Sequence, residues 1–146
     1  MLQLRIKQQA LTEGSHRVDL DLTGLLRQLN EAVRFCNTAL DLLPADAVNH
    51  LAVAHNALGV IYGSAGDLDR AVQHYRETVQ LDEKAGNLYG AAETRFNVAL
   101  ALFYGNRRAD ALDYAEAALR GFESYGERAG EEIEKTRRLI AAIRGV

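Results

Sequence analysis

Tryptophan is absent from this sequence, and proline and cysteine occur once each, as Pro44 and Cys36. One cysteine cannot close a disulfide within the chain, and it says little about redox compartment. One proline leaves long stretches free of the strongest helix breaker. No run approaches the roughly 18 apolar residues that a membrane span needs. The opening "MLQLRIKQQA" has no apolar core of a secretion signal, so a cytoplasmic location is expected. The net charge is −3, which provides no basic field for nucleic acid. What is present is ordinary for a globular protein: 48% apolar and 25% charged residues over 146 positions, enough for one domain with a real core. Alanine and leucine are abundant, and with so few strand formers the composition favours helix.

Turn residues divide the chain into helix-length pieces. Pro44, Gly66, Gly86, Asn106 and Gly126 each stand between amphipathic runs. From Thr23 to Leu43 the apolar positions Leu26, Leu29, Val33, Phe35, Cys36, Ala39 and Leu40 recur at three and four, the pattern of one amphipathic helix, and Pro44 stops the run. Asp46, Asp67 and Asn87 are the predicted N-caps of the next three helices. The third of these reaches Tyr104, a fourth carries Ala111 to Phe122, and a last helix is expected from about Arg128 to Arg144. Residues 1–22 are ambiguous in pattern. Leu2, Leu4 and Ile6 alternate like a strand, but a lone strand has no partner, so a short helix is expected, with "EGSHRVDLD" (13–21) as a loop.

The helices repeat in pairs at a step of 40 residues. Leu58 returns as Val98, Gly59 as Ala99, Gly66 as Asn106, Ala71 as Ala111 and Val79 as Leu119. One step back, at a step of 39, "AVRFCNTALDLLP" (32–44) aligns with "AVQHYRETVQLDE" (71–83). Two glycines four apart in "GNLYGAAET", Gly86 and Gly90, suggest a phosphate loop when read alone. No strand precedes them, no lysine follows in place, and they return as Gly126 and Gly130. A joint between helices recurs in this way. Gly86 is expected to end a helix in the left-handed region, and Gly90 to let the next helix pack closely.

"ALGVIYGSAGDLDRAVQHYRETVQLD" (57–82) resembles the tetratricopeptide repeat: Leu58-Gly59 and Tyr62 on a first helix, Gly66-Asp67 at the turn, Ala71 and Tyr75 on a second. The copy "NVALALFYGNRRADALDYAEAAL" is looser, and the 40-residue step is similar to the longer variety in G-protein modulators and bacterial multidomain signalling proteins. The resemblance implies an all-α fold, an antiparallel helix-pair solenoid of about two and a half repeats with a C-terminal capping helix. As one domain it divides into an N-terminal segment (1–22), a half-repeat helix (23–43), repeats at 47–85 and 87–125, and a cap at 128–144.

It also implies a non-catalytic scaffold that binds a partner peptide or helix in a concave groove. The groove positions carried over are Val53, Asn56, Val60, Gly63 and Ser64 in the first copy, and Glu93, Phe96, Asn97, Leu100, Phe103 and Tyr104 in the second. The cap adds Ile133, Thr136, Arg137 and Ile140. Asn56 and Asn97 are the residues expected to hold a partner's backbone. No lysine–arginine set for clamping carboxylates is matched. The competing reading is a homo-oligomer whose groove is filled by its own chain or a second copy.

Site chemistry is otherwise sparse. His50 and His55 lie about 140° apart around a helix and cannot share a metal from one face. Cys36 occupies a packing position with no activating base placed beside it, so a buried, inert thiol is expected. No nucleophile elbow, phosphate loop or dinucleotide fingerprint occurs, so neither enzyme nor cofactor is expected.

Overall fold

The computed structural model describes residues 8–146, with side-chain detail from residue 22 onward. Every regular element among them is helical: α1 Gln8–Leu42, α2 Val48–Ser64, α3 Leu68–Lys84, α4 Leu88–Tyr104, α5 Arg108–Glu123 and α6 Gly130–Arg144. A short 3₁₀ turn, Gly126–Ala129, precedes α6. The chain divides into two compact units, Met1–Phe35 and Cys36–Val146. In the second, neighbouring helices pack in chain order, α2 on α3, α3 on α4, α4 on α5 and α5 on α6. That is an all-α helical-repeat solenoid.

The joints explain the step of the repeat. Gly66 and Gly86 sit at φ +84° and +77°, and Asn106 at +65°. At each joint the same two backbone bonds close the preceding helix. Around Gly66, the N–H of Gly66 donates to the carbonyl of Gly63 and that of Asp67 to Tyr62, at 3.1 and 2.9 Å. Around Asn106, Asn106 donates to Phe103 and Arg107 to Leu102, at 3.0 and 2.8 Å. This is the Schellman closure, in which a left-handed residue satisfies the last carbonyls. Asp67 and Asn87 then cap the next helices as expected, accepting from the N–H of Arg70 and of Gly90.

Four expectations are corrected. Residues 13–21 are not a loop, because α1 runs unbroken from Gln8 to Leu42. Gly14 costs a helix only about 1 kcal/mol against alanine, too little to stop a run with no proline in it. The part of the expected N-terminal helix that falls on residues 1–7 lies outside the described residues. Asp46 does not cap α2; Ala47 holds that place without a side-chain bond, in a turn closed by its N–H on the Pro44 carbonyl. Gly90 does not serve helix packing. A Cβ there would meet the Asn87 side-chain nitrogen at 2.4 Å, so its hydrogen makes room for the cap. Cys36 is half-buried rather than buried, and burial pushes its thiol pKa up.

The core of the second unit follows the small-residue stripe. Ala71, Ala91, Ala92, Val98, Ala99, Ala111, Ala115 and Ala118 have no exposed surface. Around them pack Tyr75, Leu102, Leu139, Ile140 and Ile143 in one cluster, and Phe122 and Ala129 in another. Alanine at the crossings brings the helix backbones close, and the larger residues fill the space beside them.

Candidate interaction groove

α4 is apolar on nearly every face, a property that fits either burial or binding. Most of it is burial. Val98, Ala99 and Leu102 are core, and Phe96, Leu100 and Phe103 are half-buried against it. Exposure remains at Tyr104 (81%) and Asn97. On α2, Val53 and Val60 are 70% and 48% exposed. Asn56 is half-buried, and among the described residues neither Asn56 nor Asn97 has a partner for its side-chain amide.

Two clefts lie along these helices. One, of about 430 Å³, runs between α2 and α4, lined by Val60, Gly63, Ser64, Leu68, Ala101 and Tyr104. The other, of about 160 Å³, sits between α4 and α6 with Phe96 and Phe122 as aromatic wall and Glu93, Asn97, Glu132 and Lys135 around it. Burial pushes the Glu93 pKa up, and the neighbouring Glu132 and Asp82 carboxylates add to that while Lys135 opposes it. The lone lysine therefore faces two carboxylates, which is the wrong balance for clamping an acidic chain end.

Thus Val60, Gly63, Ser64 and Tyr104 are brought together in one cleft, and Glu93, Phe96, Asn97 and Thr136 in the other. The assignments on α6 are displaced. Ile140 is 6% exposed and belongs to the core. Arg137 bonds the Glu123 carboxylate on α5 at 3.2 Å. Phe103 packs half-buried on the core with the Arg108 guanidinium over its ring at 5.7 Å. The residues missed are Glu132 and Lys135, which sit one position before Ile133 and Thr136. A helix turns about 100° per residue, so this one-step difference re-aims the face. The signal was the burial of Thr136 with Leu139 and Ile143, a stripe at three and four that fixes which side of α6 is inward.

The histidines also meet in an unforeseen way. His55 on α2 and His74 on α3 stand with their Nδ1 atoms 3.0 Å apart, and Tyr62 stacks on the His74 ring. One ring must donate and the other accept, so two protonated rings cannot keep this bond. Burial lowers both pKa values; for His74 the neighbouring His55 and Arg70 lower it further, while Glu77 raises both. Among the described residues no group of three or more His, Cys, Asp or Glu side chains is gathered for a metal ion.

The sign of the pH effect follows. With folded pKa values below the ordinary 6.5, the unfolded chain binds more protons near that pH. The contribution is fully present above 6.5 and is lost as pH falls through the lower folded values. Thermal unfolding followed from pH 7.5 to 5 should show a falling midpoint. The double variant His55→Gln, His74→Gln should flatten that slope; an unchanged slope would remove the pair as its cause.

A chain of stacked helix hairpins closed by left-handed joints, with grooves along its first helices, defines the class of helical-repeat interaction proteins. The tetratricopeptide repeat model matches residues 51–124, half of the chain, and the protein belongs to that family. Repeats of this family generally mediate protein–protein interaction. No curated protein and no solved structure matches the chain. No helix of the described residues is long and apolar enough to cross a membrane.

Proposed function

We propose that this chain is a non-catalytic scaffold that receives a partner peptide or helix along α2, α4 and the start of α6, within the cytoplasm and as part or companion of a larger signalling protein. The observation that carries the reading is the exposed apolar line of Val53, Val60 and Tyr104 on successive first helices, next to clefts that the core does not need. Apolar side chains left in water cost about 25 cal/mol per Å² until a partner covers them. Asn56 and Asn97 supply amides for a partner backbone, and Glu93, Glu132 and Lys135 supply polar ends for its side chains.

The test compares two classes of variant. Tyr104→Glu and Val60→Glu should abolish capture of peptides selected from a random phage library, with the unfolding midpoint nearly unchanged. Phe96→Glu is a poor probe, because Phe96 packs against both core clusters and its charge should destabilise the fold. Peptides retained equally by wild type and both groove variants would show that the groove is not the binding surface.

A further inference from the structure

The cleft between α4 and α6 has a volume of about 160 Å³. Pockets for drug-sized molecules run to about 300–1,000 Å³, so this one has the room of a single side chain. Its wall is aromatic, with Phe96 from α4 and Phe122 from α5. The charged groups that line it are Glu93 on α4 and Glu132 and Lys135 on α6.

Those charges do not balance. Among the described residues neither Glu93 nor Glu132 forms an ion pair. The contrast lies close by. Glu83 on α3, and Glu116 and Glu123 on α5, are each held by an arginine, at 2.8, 2.7 and 3.2 Å. Tyr89 hydrogen-bonds Glu132, a neutral contact that leaves the carboxylate charge in place. Burial pushes the Glu93 pKa up and the Glu132 carboxylate adds to it, so the two acids repel each other while Lys135 offsets only part of that.

A cation is what this lining lacks. Placed by the two carboxylates, an ammonium or guanidinium relieves their repulsion. An aromatic wall favours a cation through the negative faces of its rings, and it covers the methylene stem of a long basic side chain. The Asn97 amide oxygen, also at the cleft, accepts a further N–H. The other occupants fit worse. An anion finds only Lys135. A neutral apolar side chain would shut two carboxylates away from water with nothing to pair them. The net charge of −3 draws a basic partner from a distance as well.

We propose that the α4–α6 cleft receives a basic side chain, arginine or lysine, from the partner, so that the partner is a peptide with a positive residue in its bound stretch. That the cation arrives on a peptide rests on the groove reading; the preference of the cleft for a cation does not.

Nuclear magnetic resonance on the full chain tests the cleft with a small probe. N-acetyl-arginine methylamide is compared with its citrulline counterpart, in which a neutral urea replaces the guanidinium at equal size. The arginine compound should shift the amide signals of Asn97, Glu132 and Thr136 saturably, and citrulline should bind about tenfold more weakly. This comparison uses the wild-type chain and needs no variant to fold. Glu132→Gln should weaken the arginine compound about tenfold, and Lys135→Gln should strengthen it about twofold by removing the opposing charge. Glu134→Gln removes the same charge from an exposed position outside the cleft, and should leave binding unchanged. Equal shifts with arginine and citrulline overturn the proposal. So do equal losses in Glu132→Gln and Glu134→Gln, which would make the attraction one of net charge. Binding of the arginine compound as expected, with peptide capture indifferent to Tyr104→Glu and Val60→Glu, supports the cleft and removes the groove reading. Capture that needs Tyr104 and Val60, with arginine no better than citrulline, keeps the groove and removes the cation site.

Discussion

Replacing Phe122 by alanine should cost about 3–5 kcal/mol, the range for deleting a fully buried aromatic side chain. Phe122 is the largest fully buried side chain among the described residues, at 2% exposure. It holds Ala92, Ala118 and Ala129 together, and so joins α4, α5 and the turn before α6. Tyr89 meets its ring edge-on with centroids 5.5 Å apart, and Tyr125 in turn meets Tyr89 at 5.4 Å and 90°. Edge-to-face pairs add about 0.5–1.5 kcal/mol beyond area alone. The alanines around Phe122 have short side chains and cannot swing in to fill the hole. Most domains have only 5–15 kcal/mol in total, so the variant should be at or near the limit of folding. Urea unfolding measures it, with Phe122→Leu as the milder control. A loss below about 1 kcal/mol would mean that the cap helix does not depend on this cluster.

Gly59 carries the second large effect. A Cβ at Gly59 would stand 2.7 Å from two carbons of the Tyr75 ring, closer than real contacts allow. Tyr75 is 6% exposed and has little room to retreat. On an open helix face Gly→Ala gains about 1 kcal/mol from propensity. Here Gly59→Ala should instead cost about 1–3 kcal/mol through overpacking, and Gly59→Val more. The chain itself shows the compensating change. One step of 40 residues later, the same two places hold Ala99 and Ala115, both fully buried. A small residue on the second helix is what permits a Cβ on the first. Gly59→Ala combined with Tyr75→Ala should therefore cost less than the sum of the two single changes, by a coupling of about 0.5–3 kcal/mol. Strict additivity in a double-mutant cycle would show that the two sites do not compete for space.

Much of the fold was legible because its determinants are local. Gly66, Gly86 and Asn106 mark joints by backbone conformation, a property that a residue carries with it. Asp67 and Asn87 cap helices by bonds that span three residues. The alternation of small and large residues at Leu58, Gly59, Ala71 and Tyr75 announced which helices would touch. The N-terminal loop was misread for the opposite reason. Gly14 and Ser15 are weak breakers, and whether a helix runs through them depends on the balance over many residues.

Which residues of the candidate site face solvent was legible in part. Val60, Asn97 and Tyr104 follow from the repeat, since equivalent residues face equivalent ways. On α6 that inference fails, because the rotation of the helix is set by how Thr136, Leu139 and Ile143 settle on α5 and α4. Side-chain meetings across helices were also out of reach. His55 and His74 are 19 residues apart, and their hydrogen bond depends on the crossing of α2 over α3.

By itself, then, the sequence determined the helix pairs, their joints and their family, because turn conformation, capping and helical period act within a few residues of the chain. Only the tertiary structure decided which apolar side chains are core and which face solvent. Phe96 and Ile140 read the same as Val60 and Leu25 in the alphabet of hydrophobicity. Their fates diverge because burial depends on what the neighbouring helix brings to the same place in space.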